Sequence, residues 1–311
     1  MIGKKNVMLT IFHTIYLFEM MLTMILLDQR STAADTSAWV IALRYVSLAA
    51  GFVLFSAMRS LVARPKDRLV LLIGMNIGYL AGILGAFFLT DGSGVAVFFN
   101  VAVALMLGLL GGFTNYCMAM GLTESRFSGR IFGISGAVAF LLQVLCERMV
   151  FVRFILVAVL LMGFGLTVWF VRRYSEIWLL EDAPEYASAD DEEHRLSAAV
   201  IVLGMLVCVM FGVPSFLGDA MQWNLMRHEN VMFSYTWPRL GGGIGYLLLG
   251  MAADIGKRRY LPLVCLSGEF LLCLTSFGFE AENPSSMALF LYSTLMLCWN
   301  GWHTLFFWDF A

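Results

Sequence analysis

The stretch "GMAADIGKRR", residues Gly250 to Arg259, gathers one carboxylate and three cations into its last six positions. It follows "RLGGGIGYLLL", Arg239 to Leu249, in which one arginine precedes ten uncharged residues. A cationic cluster closing an apolar run marks a membrane boundary on the cytoplasmic side, where Lys and Arg accumulate. The composition agrees. Of 311 residues, 60% are apolar and 14% charged, and the mean hydropathy is +0.81, beyond what a soluble domain carries.

A helix needs about 20 mostly apolar residues to cross a hydrocarbon core. Working outward from Gly250, ten stretches of that kind are expected: Val7 to Leu27, Ala38 to Met58, Leu69 to Thr90, Val95 to Leu122, Arg130 to Cys146, Arg153 to Val171, Ser197 to Gly218, Val231 to Ala253, Tyr260 to Phe279 and Met287 to Phe310. With the N-terminus inside, the cytoplasmic segments hold 14 cations, among them Lys4, Lys5, Arg59, Arg64, Arg130, Arg172, Arg173 and Lys257 to Arg259. The opposite side has Arg30, Arg148, Arg227 and at most Arg153. That asymmetry predicts that both termini lie in the cytoplasm, and the expected location is a bacterial cytoplasmic (inner) membrane, crossed many times.

The six cysteines (117, 146, 208, 265, 273 and 298) all fall in apolar spans without a CxxC pair, so they read as small core residues. No HExxH, phosphate-binding glycine loop or nucleophile triad is legible, and neither an enzyme nor a bound cofactor or metal is expected.

The long connection from Arg172 to Leu196 carries eight carboxylates and divides six spans from four. The expected organisation is a six-helix bundle over residues 1–171, an acidic cytoplasmic linker over 172–196, and a four-helix partial bundle over 197–311. Sliding the chain by 195 residues sets Arg44 on Arg239, Leu54 on Leu249 and Arg64 on Arg259, so the second span and its loop resemble the eighth and its loop. A slide of 189 sets Gly111 to Thr114 on Asn300 to His303 and brings Ala311 opposite Leu122. By that register the second half ends with its fourth helix, and residues 123–171 have no counterpart.

In this layout the chain resembles the major facilitator superfamily, whose members have twelve helices in two six-helix bundles. The resemblance rests on the loop pattern G-x-x-x-D-x-x-G-[RK]-[RK], matched by Gly250, Asp254, Gly256, Lys257, Arg258 and Arg259 with one residue fewer between Asp254 and Gly256. The copy after the second span has Phe55, Arg59 and Leu61 in place of Gly, Asp and Gly. The resemblance implies an all-α polytopic fold of about ten transmembrane helices, a six-plus-four bundle lacking helices 11 and 12. It also implies that Asp254 braces a cytoplasmic gate; in the family the corresponding acid works against helix 11. Apart from any resemblance, Asp254 ends its own helix, the wrong end for a negative charge, and so requires a cation or another helix's N-terminus.

Ionisable groups at membrane depth are costly and mark candidate sites. Glu19 lies 12 residues into the first span, and Arg44 lies 15 residues from the Arg59 end of the second. At 1.5 Å per residue both sit about 18 to 22 Å from the cytoplasmic ends, level enough to pair. Glu19 is thus a candidate proton- or substrate-linked acid with Arg44 as counter-ion, or half of a static ion pair. Arg239 is the repeat equivalent of Arg44; beside it Trp237 offers aromatic surface and Pro238 a bend, features that suit an anionic or amphipathic ligand. Glu269 is about ten residues into the ninth span. Gly74, Gly78 and Gly82 form a ladder on the third span, and Gly241, Gly242, Gly243 and Gly245 thin the eighth, both read as close-packing faces.

The expected function is secondary active transport of a small molecule by alternating access, with lipid bilayer and substrate as partners, proton coupling as an option and no nucleic-acid contact by this segment. Two alternatives stand beside it: the membrane input module of a LuxR-type regulator, and a truncated product that does not transport.

Overall fold

The computed structural model describes residues 4–33, 38–62, 65–88, 93–122, 127–150, 153–178 and 236–254, together with Leu305. All but a few turn residues are helical, in α1 (Lys4–Ala33), α2 (Ala38–Leu61), α3 (Pro65–Phe88), α4 (Ser93–Leu122), α5 (Ser128–Val150), α6 (Arg153–Trp178) and α7 (Thr236–Asp254). The seventh, ninth and tenth expected spans and the acidic linker lie largely outside the described residues.

Among the described residues the fold is all-α. Four stretches are long and apolar enough to cross a membrane: Asn6–Met24, Asp67–Ala86, Val97–Ala119 and Ser128–Cys146. Shorter apolar stretches run over Ala42–Phe55 in α2 and Val157–Trp169 in α6. Side chains are sorted as lipid requires. Val46, Val53, Val70, Phe98, Leu145 and Phe154 point outward, whereas His13, Glu19, Thr23, Arg44, Asn76, Asn100, Thr114 and Gln143 are buried. Water would favour the reverse, and this distribution gives the helices the character of a membrane protein.

The turn into α3 shows the local logic. Pro65 opens the helix where its missing N–H leaves no bond unmade, Asp67 faces the positive end of the dipole, and Arg68 Nε donates to Val62 O at 3.0 Å.

The chain divides into two compact units: residues 1–124 and 145–182 with Ala311, and residues 125–144 with 183–310. In the first, α2 packs chiefly on α4, and α1 and α3 each pack on both α4 and α6. The α2–α4 seam is built on glycine. A Cβ placed on Gly51 would fall against Leu105 O and 2.8 Å from Gly108 Cα, and one on Gly108 would fall against Leu48 O. Phe55 fills the next turn, edge-on to Phe113 at 6.1 Å, with Gly112 making room for it. Of the glycine ladder on α3, Gly78 and Gly82 lie against Met106 and Val103 of α4, while Gly74 faces open space. In the second unit the described part of α5 packs antiparallel on α7 through the contacts below.

Candidate functional site

The carboxylate of Asp254 ends α7 and sits on the N-terminus of α5. Gly129 N–H donates to Oδ1 at 2.9 Å, Arg130 N–H donates to Oδ2 at 3.0 Å, and Arg130 Nε lies 3.3 Å from the same Oδ2. Asp254 thus receives both partners its position demands, a cation and the positive end of another helix. The two amides are among the N–H groups that a helix start leaves without intrahelical partners, so the carboxylate satisfies donors that would otherwise need water. Its side chain is 1% exposed and that of Arg130 50%, so the backbone half of the contact is shielded and the side-chain half is screened.

This cap closes a seam with almost no side chains at its end. A Cβ on Gly129 would meet Asp254 Oδ1 at 2.6 Å and Gly250 O at 2.7 Å; one on Gly133 would meet Tyr246 O at 2.6 Å and Gly250 Cα at 3.0 Å. The backbones therefore touch. One and two turns further along, Tyr246 lies between Phe132 and Phe140, with ring centroids at 5.1 and 5.8 Å. Gly243 follows beside Ala137 and Phe140. Arg239, four residues before Gly243 and half-buried, comes level with the buried Gln143 by the same antiparallel register. In α7 as described, Pro238 lies in the first turn, where its missing N–H breaks no helical bond. The Trp237 side chain and all of Gly256, Lys257, Arg258, Arg259 and Glu269 lie outside the described residues.

Glu19 belongs to the first unit and is 4% exposed. Its carboxylate rests on Gly163 of α6, where a Cβ would collide with Oε1 and stand 3.0 Å from Cδ. Tyr16, on the same helix, and Tyr79, on α3, are within electrostatic range of it. One turn along, the Thr23 and Tyr79 hydroxyls share a hydrogen bond across α1 and α3. Arg44 is also buried, its guanidinium carbon 5.6 Å from the Tyr45 ring centroid. The structure does not join the two: no ion pair within 4 Å links Glu19 to Arg44 among the described residues. Depth along a helix sets the level of a side chain but not its bearing. α1 turns this face to α6, while α2 packs on α4.

Sequence reasoning missed Gly129, Gly163, Thr23 and Tyr79 as parts of these sites, and read Arg130 only as an orientation charge. Gly129, Gly133 and Gly136 at i, i+4 and i+7 carry the same small-residue signal as the α3 ladder. Nothing in the sequence pairs Thr23 with Tyr79, which are 56 residues apart. Among the described residues no three of His, Cys, Asp and Glu are grouped as a metal would need, and neither Cys117 nor Cys146 forms a disulfide. No protein-family model matches this chain, and no curated protein matches it in sequence.

Proposed function

We propose that the protein is a secondary active transporter of the facilitator type, moving a small molecule across the bacterial cytoplasmic membrane by alternating access. The reading takes the ten-span, six-plus-four arrangement with both termini cytoplasmic as its frame. The observation that carries it is the Asp254 cap on the N-terminus of α5, at the end of a glycine seam. Transport by rocking needs a contact that holds one state and releases without unpicking interlocked side chains. A carboxylate on two backbone amides, beside a half-exposed arginine, is such a contact. Glu19, Arg44, Trp237, Arg239 and Glu269 are the proposed substrate and proton pathway, and Gly250, Asp254, Gly256 and the cations Lys257 to Arg259 form the gate.

The test is flux. Proteoliposomes holding the protein, energised by a pH gradient and offered labelled small organic anions and amphipathic solutes, should accumulate at least one of them, and a protonophore should collapse the accumulation. No accumulation of any solute, together with ligand-dependent gene expression in cells, would replace transport by sensing. One observation favours that second reading: where the loop pattern asks for glycine, Phe55 is buried against Phe113 and Tyr116, a packed joint suited to binding without a full transport cycle.

A further inference from the structure

Helix α6 has two unlike sides. Val157, Leu160, Gly163 and Thr167 are buried, with Gly163 against Glu19 of α1. At about 100° per residue these four positions fall within an arc of about 120°. Phe154, Leu161, Met162, Leu166 and Trp169 are exposed and fall within an arc of about 140° on the opposite side. That exposed arc continues to Arg172 and Arg173, which are exposed as well and flank the Trp169 position at about 60° and 40°. Gly165 lies within the arc, one turn from Leu161 and one from Trp169, and a Cβ there would have nothing within 4 Å. It leaves an open notch between them.

The levels along α6 match those of a bilayer. From Arg153 to Arg172 is 19 residues, a rise of about 28 Å, close to the roughly 30 Å of a hydrocarbon core. Arg172 and Arg173 therefore stand at headgroup level, where an indole also belongs, and the charge asymmetry of the loops makes this end cytoplasmic. From Arg172 back to Met162 is a rise of about 15 Å, the depth of one leaflet's hydrocarbon. The surface thus offers cations, an amphipathic ring and an apolar groove in the order in which a phospholipid presents their complements. Arg172 also has an interaction within the chain, so Arg173 carries the larger share of the outward charge. Arg130, half-exposed at the start of α5, is by contrast held by Asp254.

We propose that the exposed face of α6 binds one anionic phospholipid of the cytoplasmic leaflet. Arg173 and Arg172 hold its phosphate beside the Trp169 ring, and one acyl chain runs through the Gly165 notch toward Met162. A guanidinium takes two phosphate oxygens at once, which fixes a headgroup in place where scattered surface charge only attracts it. Two cations within one turn favour a headgroup of net negative charge over a zwitterionic one. The site needs only a membrane and a cytoplasmic end of α6, and it is the same whether the protein transports or senses.

Native mass spectrometry of the purified protein, released from nanodiscs of phosphatidylglycerol and phosphatidylcholine in equal parts, counts the lipids retained. Wild type should keep one phosphatidylglycerol in preference to phosphatidylcholine. Arg173→Gln should weaken that retention about fivefold, and Arg172→Gln with Arg173→Gln about 10- to 30-fold. Gly165→Leu, which fills the notch and leaves every charge in place, should weaken it as well. Arg64→Gln with Lys66→Gln removes as much cytoplasmic charge elsewhere and should leave retention unchanged. Equal retention of the two lipids by wild type would overturn the proposal, as would equal losses from the two double variants, the mark of diffuse attraction. So would a disulfide-linked dimer formed by Gly165→Cys, which would give this face to a second copy of the chain.

Discussion

Replacing Asp254 by asparagine keeps the size of the side chain and removes its charge, which isolates what the carboxylate does at the start of α5. Asparagine can accept from only one of the two amides and turns an NH2 toward the other. The lost bond at a helix start is worth about 1 kcal/mol. The lost charge at a shielded N-terminus is worth about 1 to 2 kcal/mol more. Together these make about 2 to 3 kcal/mol, a roughly 30- to 150-fold shift toward the open joint. Arg130→Gln removes only a half-exposed partner at 3.3 Å, for about 0.2 to 1 kcal/mol, or up to about fivefold. Amide hydrogen exchange in nanodiscs reads both, because the Gly129 and Arg130 amides owe their protection to Asp254. Asp254→Asn should strip protection from the peptide containing residues 127–131, and Arg130→Gln should leave most of it. Equal effects from the two substitutions, or unchanged exchange in Asp254→Asn, would refute the reasoning that the backbone cap carries the joint.

Other outcomes follow from the same contacts. Gly133→Val should push α5 from α7, because a Cβ added there would lie 2.6 Å from Tyr246 O, and should lower stability by about 1 to 3 kcal/mol in thermal unfolding. Gly108→Ala should do the same to the α2–α4 seam, while Gly74→Ala, which meets nothing within 4 Å, should be neutral or slightly stabilising. Thr23→Val and Tyr79→Phe should each cost about 1 kcal/mol, and the double variant less than their sum, since each single change strands the other buried hydroxyl. A cysteine introduced at Lys257 should react with a membrane-impermeant maleimide in inverted vesicles and not in intact cells; the opposite pattern would invert the proposed topology.

Much of this was readable from residue types because the physics involved is one-dimensional. Hydropathy marked the stretches now seen as α1 to α7, and the sign of a charge at a helix end showed that Asp254 needed a partner. Which partner was not readable. Gly129 and Arg130 are more than 120 residues away, and no local pattern distinguishes the start of α5 from other helix starts. Glu19 shows the same limit: the rise per residue gave its depth and made Arg44 a plausible companion, but the bearing of α1 turned it to Gly163. The glycine ladders mislead for a related reason. The i, i+4 spacing identifies a smooth face without showing whether a neighbour covers it, so Gly74 lies open while Gly133 and Gly250 lie backbone to backbone.

The decisive measurement concerns whether the α5–α7 joint parts and re-forms in the membrane. Spin labels at Ile134 and Met251, both outward-facing, report its separation by pulsed electron resonance in liposomes. A transporter of the rocking kind should give two distances in exchange, with Asp254→Asn moving population toward the longer one. A single distance, the same in wild type and Asp254→Asn and indifferent to an imposed pH gradient, would contradict a moving joint.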